Sequence, residues 1–321
     1  MTGYEAPQVA LITARVLVFL SHALLFGLVP IGLFVLRPAF ATATSKGVRR
    51  EYVSQRAESL LIIALIMAFL GTAFGVLNQV LEDASLRGEP VGSRSFRAVL
   101  ETSFGQWHAL RAPLIVAVGI LVVGRARKWL LPGNPGPESE APRRWWAVWF
   151  VLSTALLATI SLSGHAAGQE WRALAVANDL CHLVAGSTWI TGIVGLTYLL
   201  PGAWSRGDEH AQLALMAPAV DRFSRVAYWS IMIVTATGVI QSLQHLGALA
   251  DLFGTNYGRA LLVKLAAFVP IVALGSLNHY RMRSRLLLAL EAGVPTPNQR
   301  LLRRNLTAEL CLGFALIVAT A

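Results

Sequence analysis

The chain has 321 residues, of which 55% are hydrophobic and 14% charged, with a mean hydropathy of +0.58 and a formal net charge of +10. This balance excludes both an ordinary soluble domain and a disordered segment, and two cysteines exclude a disulfide framework. The basic residues fall between long apolar runs, without the interleaved stacking aromatics of a nucleic-acid surface, so no nucleic-acid partner is expected.

A helix needs about 20 apolar residues to cross the hydrocarbon core, and eight such spans are predicted. The first, 15–36, carries Ser21-His22 and Pro30. It follows a stretch with Glu5 and no Lys or Arg, so it reads as a permanent helix and not a cleaved signal. The second, 59–81, holds Met67 and ends with Gly75-Val76-Leu77-Asn78; the third, 108–124, begins at His108 and contains Pro113. The fourth, 145–163, follows Arg143-Arg144 and leads into Gly164-His165. The fifth, 174–200, carries Asp179, Cys181 and His182; the sixth, 223–246, carries Met232 and Gly238-Val239-Ile240-Gln241. The seventh, 259–277, has Lys264 and Pro270, and the eighth, 306–321, is the shortest. Backbone amides in lipid must be satisfied within each segment. The expected fold is therefore all-α, a polytopic membrane protein of about eight transmembrane helices.

Those helices read as two parallel four-helix repeats. Ser21-His22 falls on Cys181-His182 and Gly32 on Gly192, both at an offset of 160. Thr102-Ser103-Phe104-Gly105 with Leu110-Arg111 recurs as Thr255-Asn256-Tyr257-Gly258 with Val263-Lys264, at 153. Glu58 and Asp221 are in register at 163, and Arg143-Arg144 and Arg303-Arg304 at 160. Near-equal offsets in one order imply duplication. They divide the chain into a first repeat, 1–142, and a second repeat region, 143–321, in which 143–163 is span four and 174–321 holds spans five to eight.

Loop charge sets the expected orientation. Bases crowd the connections after spans one, three and seven (Arg49, Arg50, Arg125, Lys128, Arg281, Arg283 among them), whereas Glu82, Asp83, Glu89, Glu170 and Asp251 lie on the other side. The positive-inside rule then places the N-terminus outside, and the net charge reflects topology and anionic lipid.

Ionisable groups within a membrane carry a desolvation cost and mark cavities, pathways or ligands. His22 and His182 fall about 10–12 Å below the outer surface, given about 1.5 Å of rise per residue, and His165 closes span four on the same side. Imidazole suits copper, zinc and iron. His22, His165 and His182 are thus the candidate metal ligands. Asp179, three residues before His182, is the expected outer carboxylate holding its second ring nitrogen. Further candidates are Cys181, Met67, Met232 and His108; the bland alternatives are a small buried residue for Cys181, core filling for the methionines and an interfacial polar group for His108. No Gly-rich phosphate loop, H-E-x-x-H or G-x-S-x-G is present, so no enzyme activity is expected.

The segments Gly164-His165-Ala166-Ala167, Asp179-Leu180-Cys181-His182 with Trp189 and Gly192, Asp221-Arg222-Phe223-Ser224, and Thr255-Asn256-Tyr257-Gly258-Arg259 with Lys264 resemble the copper resistance D (CopD) family, over about 143–285. The resemblance implies a multi-pass protein of the bacterial inner membrane that moves copper ion from periplasm to cytoplasm, working with a periplasmic CopC-like copper-binding protein. It extends to His165 and His182; His22 joins them through the repeat. Two other readings stay open: a b-type haem redox protein with His22 and His182 as axial ligands, and a structural or assembly protein whose histidines only hydrogen-bond between helices.

Overall fold

A computed structural model describes residues 5–43, 47–130, 141–164, 171–204, 208–245, 250–294 and 299–320, and every regular element among them is helical. Helix α1 (Glu5–Ile31) passes through a π-helical turn (Gly32–Leu36) into α2 (Arg37–Thr42), and α3 (Arg50–Arg87) follows. The short α4 (Ser93–Glu101) leads into α5 (Ser103–Val122), then the single turn α6 (Ala126–Trp129) and α7 (Arg143–Ser163). Helix α8 (Arg172–Val194) ends in a second π-helical turn (Gly195–Leu199) before α9 (Glu209–His245). The single turn α10 (Asp251–Gly254) precedes α11 (Asn256–Leu277), whose π-helical turn (Asn278–Met282) continues into α12 (Arg283–Ala292); α13 (Gln299–Thr320) is last.

Seven helices among the described residues are long and apolar enough to cross a membrane: Val9–Thr42, Arg50–Arg87, Ser103–Val122, Arg143–Ser163, Arg172–Leu199, Glu209–Gln244 and Tyr257–Ala292. The chain is an all-α polytopic membrane protein. The predicted eighth span forms as α13, 22 residues long, but Arg300, Arg303, Arg304 and Glu309 keep it out of the strongly apolar set. Helices α3 and α9, of 38 and 37 residues, outrun their predicted spans. An apolar run marks where a helix is in lipid, while its hydrogen-bonded backbone continues past the interface through Arg, Glu and Gln, which are good helix formers.

The centre of the bundle is the contact of α1 with α8. A Cβ at Gly27 would stand 2.2 Å from Thr191 Oγ1 and 2.6 Å from the Ser187 carbonyl, so the helices close to backbone distance there. The Thr191 hydroxyl donates to the Ala23 carbonyl at 3.0 Å. A small residue facing a hydroxyl residue gives membrane helices both dispersion contact and an interhelical hydrogen bond, where no hydrophobic drive exists between them. Trp149 of α7 fixes a third helix to this axis, its indole N–H donating to the Leu25 carbonyl at 2.9 Å. Helices α3 and α7 pack against α1, with α5 against both of them; α9, α11 and α13 lie on the α8 side.

Two N-terminal caps have the same form. Thr102 and Thr255 each accept from the backbone N–H three residues on, at Gly105 (3.1 Å) and Gly258 (2.9 Å). A Cβ at either glycine would lie 2.1 Å from the carbonyl of Val99 or Asp251. Each glycine therefore lets a short helix fold back against the start of a spanning one.

Candidate functional site

His22 lies on the buried face of α1 and is 0% exposed. Its Nδ1 is 3.1 Å from Ser21 Oγ, and that hydroxyl donates its own proton to the Val18 carbonyl at 3.0 Å. Ser21 must therefore accept, so Nδ1 carries the ring proton and Nε2 keeps its lone pair. Nε2 is buried without a hydrogen-bond partner among the described residues.

His182 on α8 shows the same logic with a partner from another helix. Its Nδ1 is 2.8 Å from Thr237 Oγ1 of α9, while the Thr237 hydroxyl donates to the Ile233 carbonyl at 2.6 Å. Thr237 again accepts, leaving the Nε2 lone pair available. A neutral imidazole with Nδ1–H held by an acceptor and Nε2 free is the form that ligates a metal.

The surroundings of the two rings differ in charge. Arg111 of α5 is 3% exposed; it donates to Thr159 Oγ1 (2.7 Å), the Thr159 carbonyl (3.0 Å), Ser163 Oγ (2.8 Å) and His108 Nε2 (2.8 Å). Every one of these partners is neutral, so the guanidinium charge is solvated by dipoles without a carboxylate among the described residues. Arg111 and His108 both act electrostatically on His22. Around His182, Lys264 is balanced by Asp179. A cation beside His22 meets an uncompensated positive charge; one beside His182 does not. Repulsion of a cation is therefore stronger beside His22 than beside His182.

His108 is buried, not an interfacial group. Its Nδ1–H donates to the Phe104 carbonyl at 2.8 Å and its Nε2 accepts from Arg111, so both nitrogens are committed and it has no lone pair for a metal. Asp179 does not hold the His182 ring: Thr237 takes that place, and Asp179 instead accepts from Gln241 across α8 and α9 at 3.3 Å. Three residues along a helix set the two side chains on similar faces, yet the α9 hydroxyl stands closer to the ring. Cys181 is exposed and free, as is Cys311, so the expectation of a small buried residue fails. The position next to an inward-facing His182 turns about 100° away, toward the lipid. Met232 is 51% exposed and Met67 half-buried; neither is drawn to His22 or His182 by a described contact. His165, expected to receive the ion, lies outside the described residues.

The axial haem arrangement requires both Nε2 atoms to be directed at one iron. The two rings are held by different partners, His22 by Ser21 of its own helix and His182 by Thr237 of α9. In the sequence Arg111 stands out only as a marker of the repeat. A lone Arg inside an apolar run, matched by Lys264 in the other half, was the signal for a charged group at each histidine.

Comparison with known proteins then fixes the family. The model described as copper resistance protein D-like, N-terminal domain, matches residues 6–174, and the copper resistance protein D model matches 217–321. The chain belongs to the copper resistance protein D family. A curated relative, the copper transport protein CutJ of Bacillus subtilis (strain 168), is 26% identical over 223 residues, which is 70% of this chain and 37% of that protein. The chain therefore aligns with well under half of that relative's length. No solved structure matches the chain.

Proposed function

We propose that the protein carries copper ion across the bacterial inner membrane, from the periplasmic side inward, and that His182 is the residue that holds the ion in transit. Family membership supports copper as the cargo. The observation that carries the residue assignment is the Thr237 hydroxyl, which accepts the Nδ1 proton of His182 and leaves Nε2 as a ligand beside Asp179.

In this reading His165 receives the ion at the outer surface, delivered by a soluble periplasmic copper-binding protein of the CopC type. His182 accepts it within the bundle, where Asp179 cancels the repulsion from Lys264. The crowding of bases in alternate loops supports a periplasmic N-terminus. The matching offsets and the paired threonine caps support a duplicated helical unit, with span four at 143–163 between the paired segments, in which His22 is the counterpart that Arg111 keeps free of cations. Nothing in this reading makes or breaks a covalent bond, so the protein acts as a carrier and not an enzyme.

The test is uptake into vesicles that contain the full chain, with internal copper measured by elemental analysis. The wild type accumulates copper, and His182→Ala does not, at equal membrane incorporation. Wild-type uptake by His182→Ala would remove His182 from the path.

A further inference from the structure

Away from the histidines, α13 buries a carboxyl group. Glu309 is 2% exposed, and Asn278 Nδ2 donates to its Oε1 at 2.5 Å. Asn278 Oδ1 in turn accepts from Asn305 Nδ2 at 3.0 Å. Asn305 and Glu309, four residues apart, share one face of α13. Asn278 opens the π-helical turn Asn278–Met282, a widened turn of the kind that recurs at functional positions.

Glu309 lines a cavity of about 200 Å³ with Trp189, Phe223, Ser224, Tyr228, Met232 and His279, which is room for a few water molecules. His279 Nδ1 is buried without a partner among the described residues. A second cavity of about 190 Å³ shares Leu196, Leu302 and Leu306 with the first and continues to Trp204, Gln212 and Arg303, near the starts of α9 and α13. The three shared leucines place the two cavities side by side, the second toward Arg303 near the start of α13.

No Lys or Arg lines the first cavity among the described residues. The titratable groups facing it are His279 and Tyr280 of the π-helical turn and Tyr228 of α9; α8 contributes Trp189 and Leu196, α1 contributes no lining residue, and Arg303 of α13 stands in the continuation. One amide bond does not compensate a bare carboxylate in such a place, because an unpaired buried charge costs several kcal/mol. The group must hold a cation of its own.

We propose that Glu309 is a cation-exchange site, which carries a proton while the cavity holds only water and releases it when a monovalent metal cation enters. The exchange balances as carboxylic acid plus M⁺ giving carboxylate-bound M⁺ plus H⁺, and the proton passes to water in the cavity. Asn278 and Asn305 supply amide oxygens, and His279 supplies a ring nitrogen next to the site. This goes beyond the copper reading and does not depend on His182 being the copper ligand.

Infrared difference spectroscopy on the full chain in vesicles tests it, following the C=O stretch of protonated carboxyl groups at neutral pH. Cuprous ion with a reductant is added in one arm and sodium in the other. The wild type shows a buried protonated-carboxyl band that Glu309→Gln lacks; Gln keeps the bond from Asn278, so the helix contact survives. Loss of the band with cuprous ion makes Glu309 a step on the copper path, and loss with sodium alone makes sodium the exchanged cation. A wild type without the band, a band unchanged in Glu309→Gln, or a band that neither cation removes overturns the proposal. Copper uptake measured on the same vesicles separates this result from any failure at His182.

Discussion

Thr237 of α9 accepts the Nδ1 proton of His182 of α8 at 2.8 Å, because its own hydroxyl proton is already given to the Ile233 carbonyl at 2.6 Å. This bond between helices sets the tautomer of the ring and aims it. Thr237→Val removes the acceptor at nearly constant volume. Loss of such an outer partner weakens metal binding by about 10–100-fold, and Thr237→Ser restores it. Competition with a cuprous chelator measures both, and unchanged affinity in Thr237→Val would show that the bond plays no part in ligation.

Arg111 places an uncompensated charge next to His22. Arg111→Gln keeps hydrogen-bonding capacity while removing that charge, so bound copper per chain should rise, and the rise should vanish in Arg111→Gln/His22→Ala. Elemental analysis of purified protein reads the ratio. An equal copper content in wild type and Arg111→Gln would mean that the charge does not govern occupancy.

Gly27 touches Thr191 and the Ser187 carbonyl closely enough that a methyl group must push α1 from α8. Gly27→Ala should destabilise by about 1–3 kcal/mol, the usual cost of overpacking, seen as a lower unfolding temperature in detergent. Gly186→Ala, inside α8 with no atom within 4 Å of the added Cβ, serves as the control and should leave the temperature the same or slightly higher, since Ala is the better helix former.

Thr102 and Thr255 cap α5 and α11 through the same bond. Replacing either with Ala removes one satisfied backbone N–H and should cost about 1 kcal/mol. Thermal unfolding of the two single variants should shift by similar amounts; a clear inequality would show that the caps bear different loads.

Cys181 faces outward. Cys181→Ser should transport copper at the wild-type rate in the vesicle assay, and a reduced rate would return the thiol to the list of ligands.

Much of this molecule was legible in its sequence. Long apolar runs bounded by Arg and Glu specify membrane helices, since lipid admits no other single-segment solution for the backbone. The positions of His22 and His182 in those runs followed from the same count, and the Thr255-Asn256-Tyr257-Gly258-Arg259 segment, inside the matched residues 217–321, pointed to the family that the comparisons then established. Seven helices formed with the predicted apolarity, and the eighth formed with Glu309 inside it.

What the tertiary structure alone decided is which side chain meets which. His182 was expected to lean on Asp179, three residues away on its own helix, and leans on Thr237, 55 residues away. His108 read as an interfacial group, and Arg111 coming from one turn further on consumes its lone pair. Asn278, Asn305 and Glu309 looked unrelated until α11 and α13 packed. Periodicity along one helix gives the depth and face of a residue, but partners on other helices depend on rotation and close approach at contacts such as Gly27 with Thr191, which no single stretch of sequence contains.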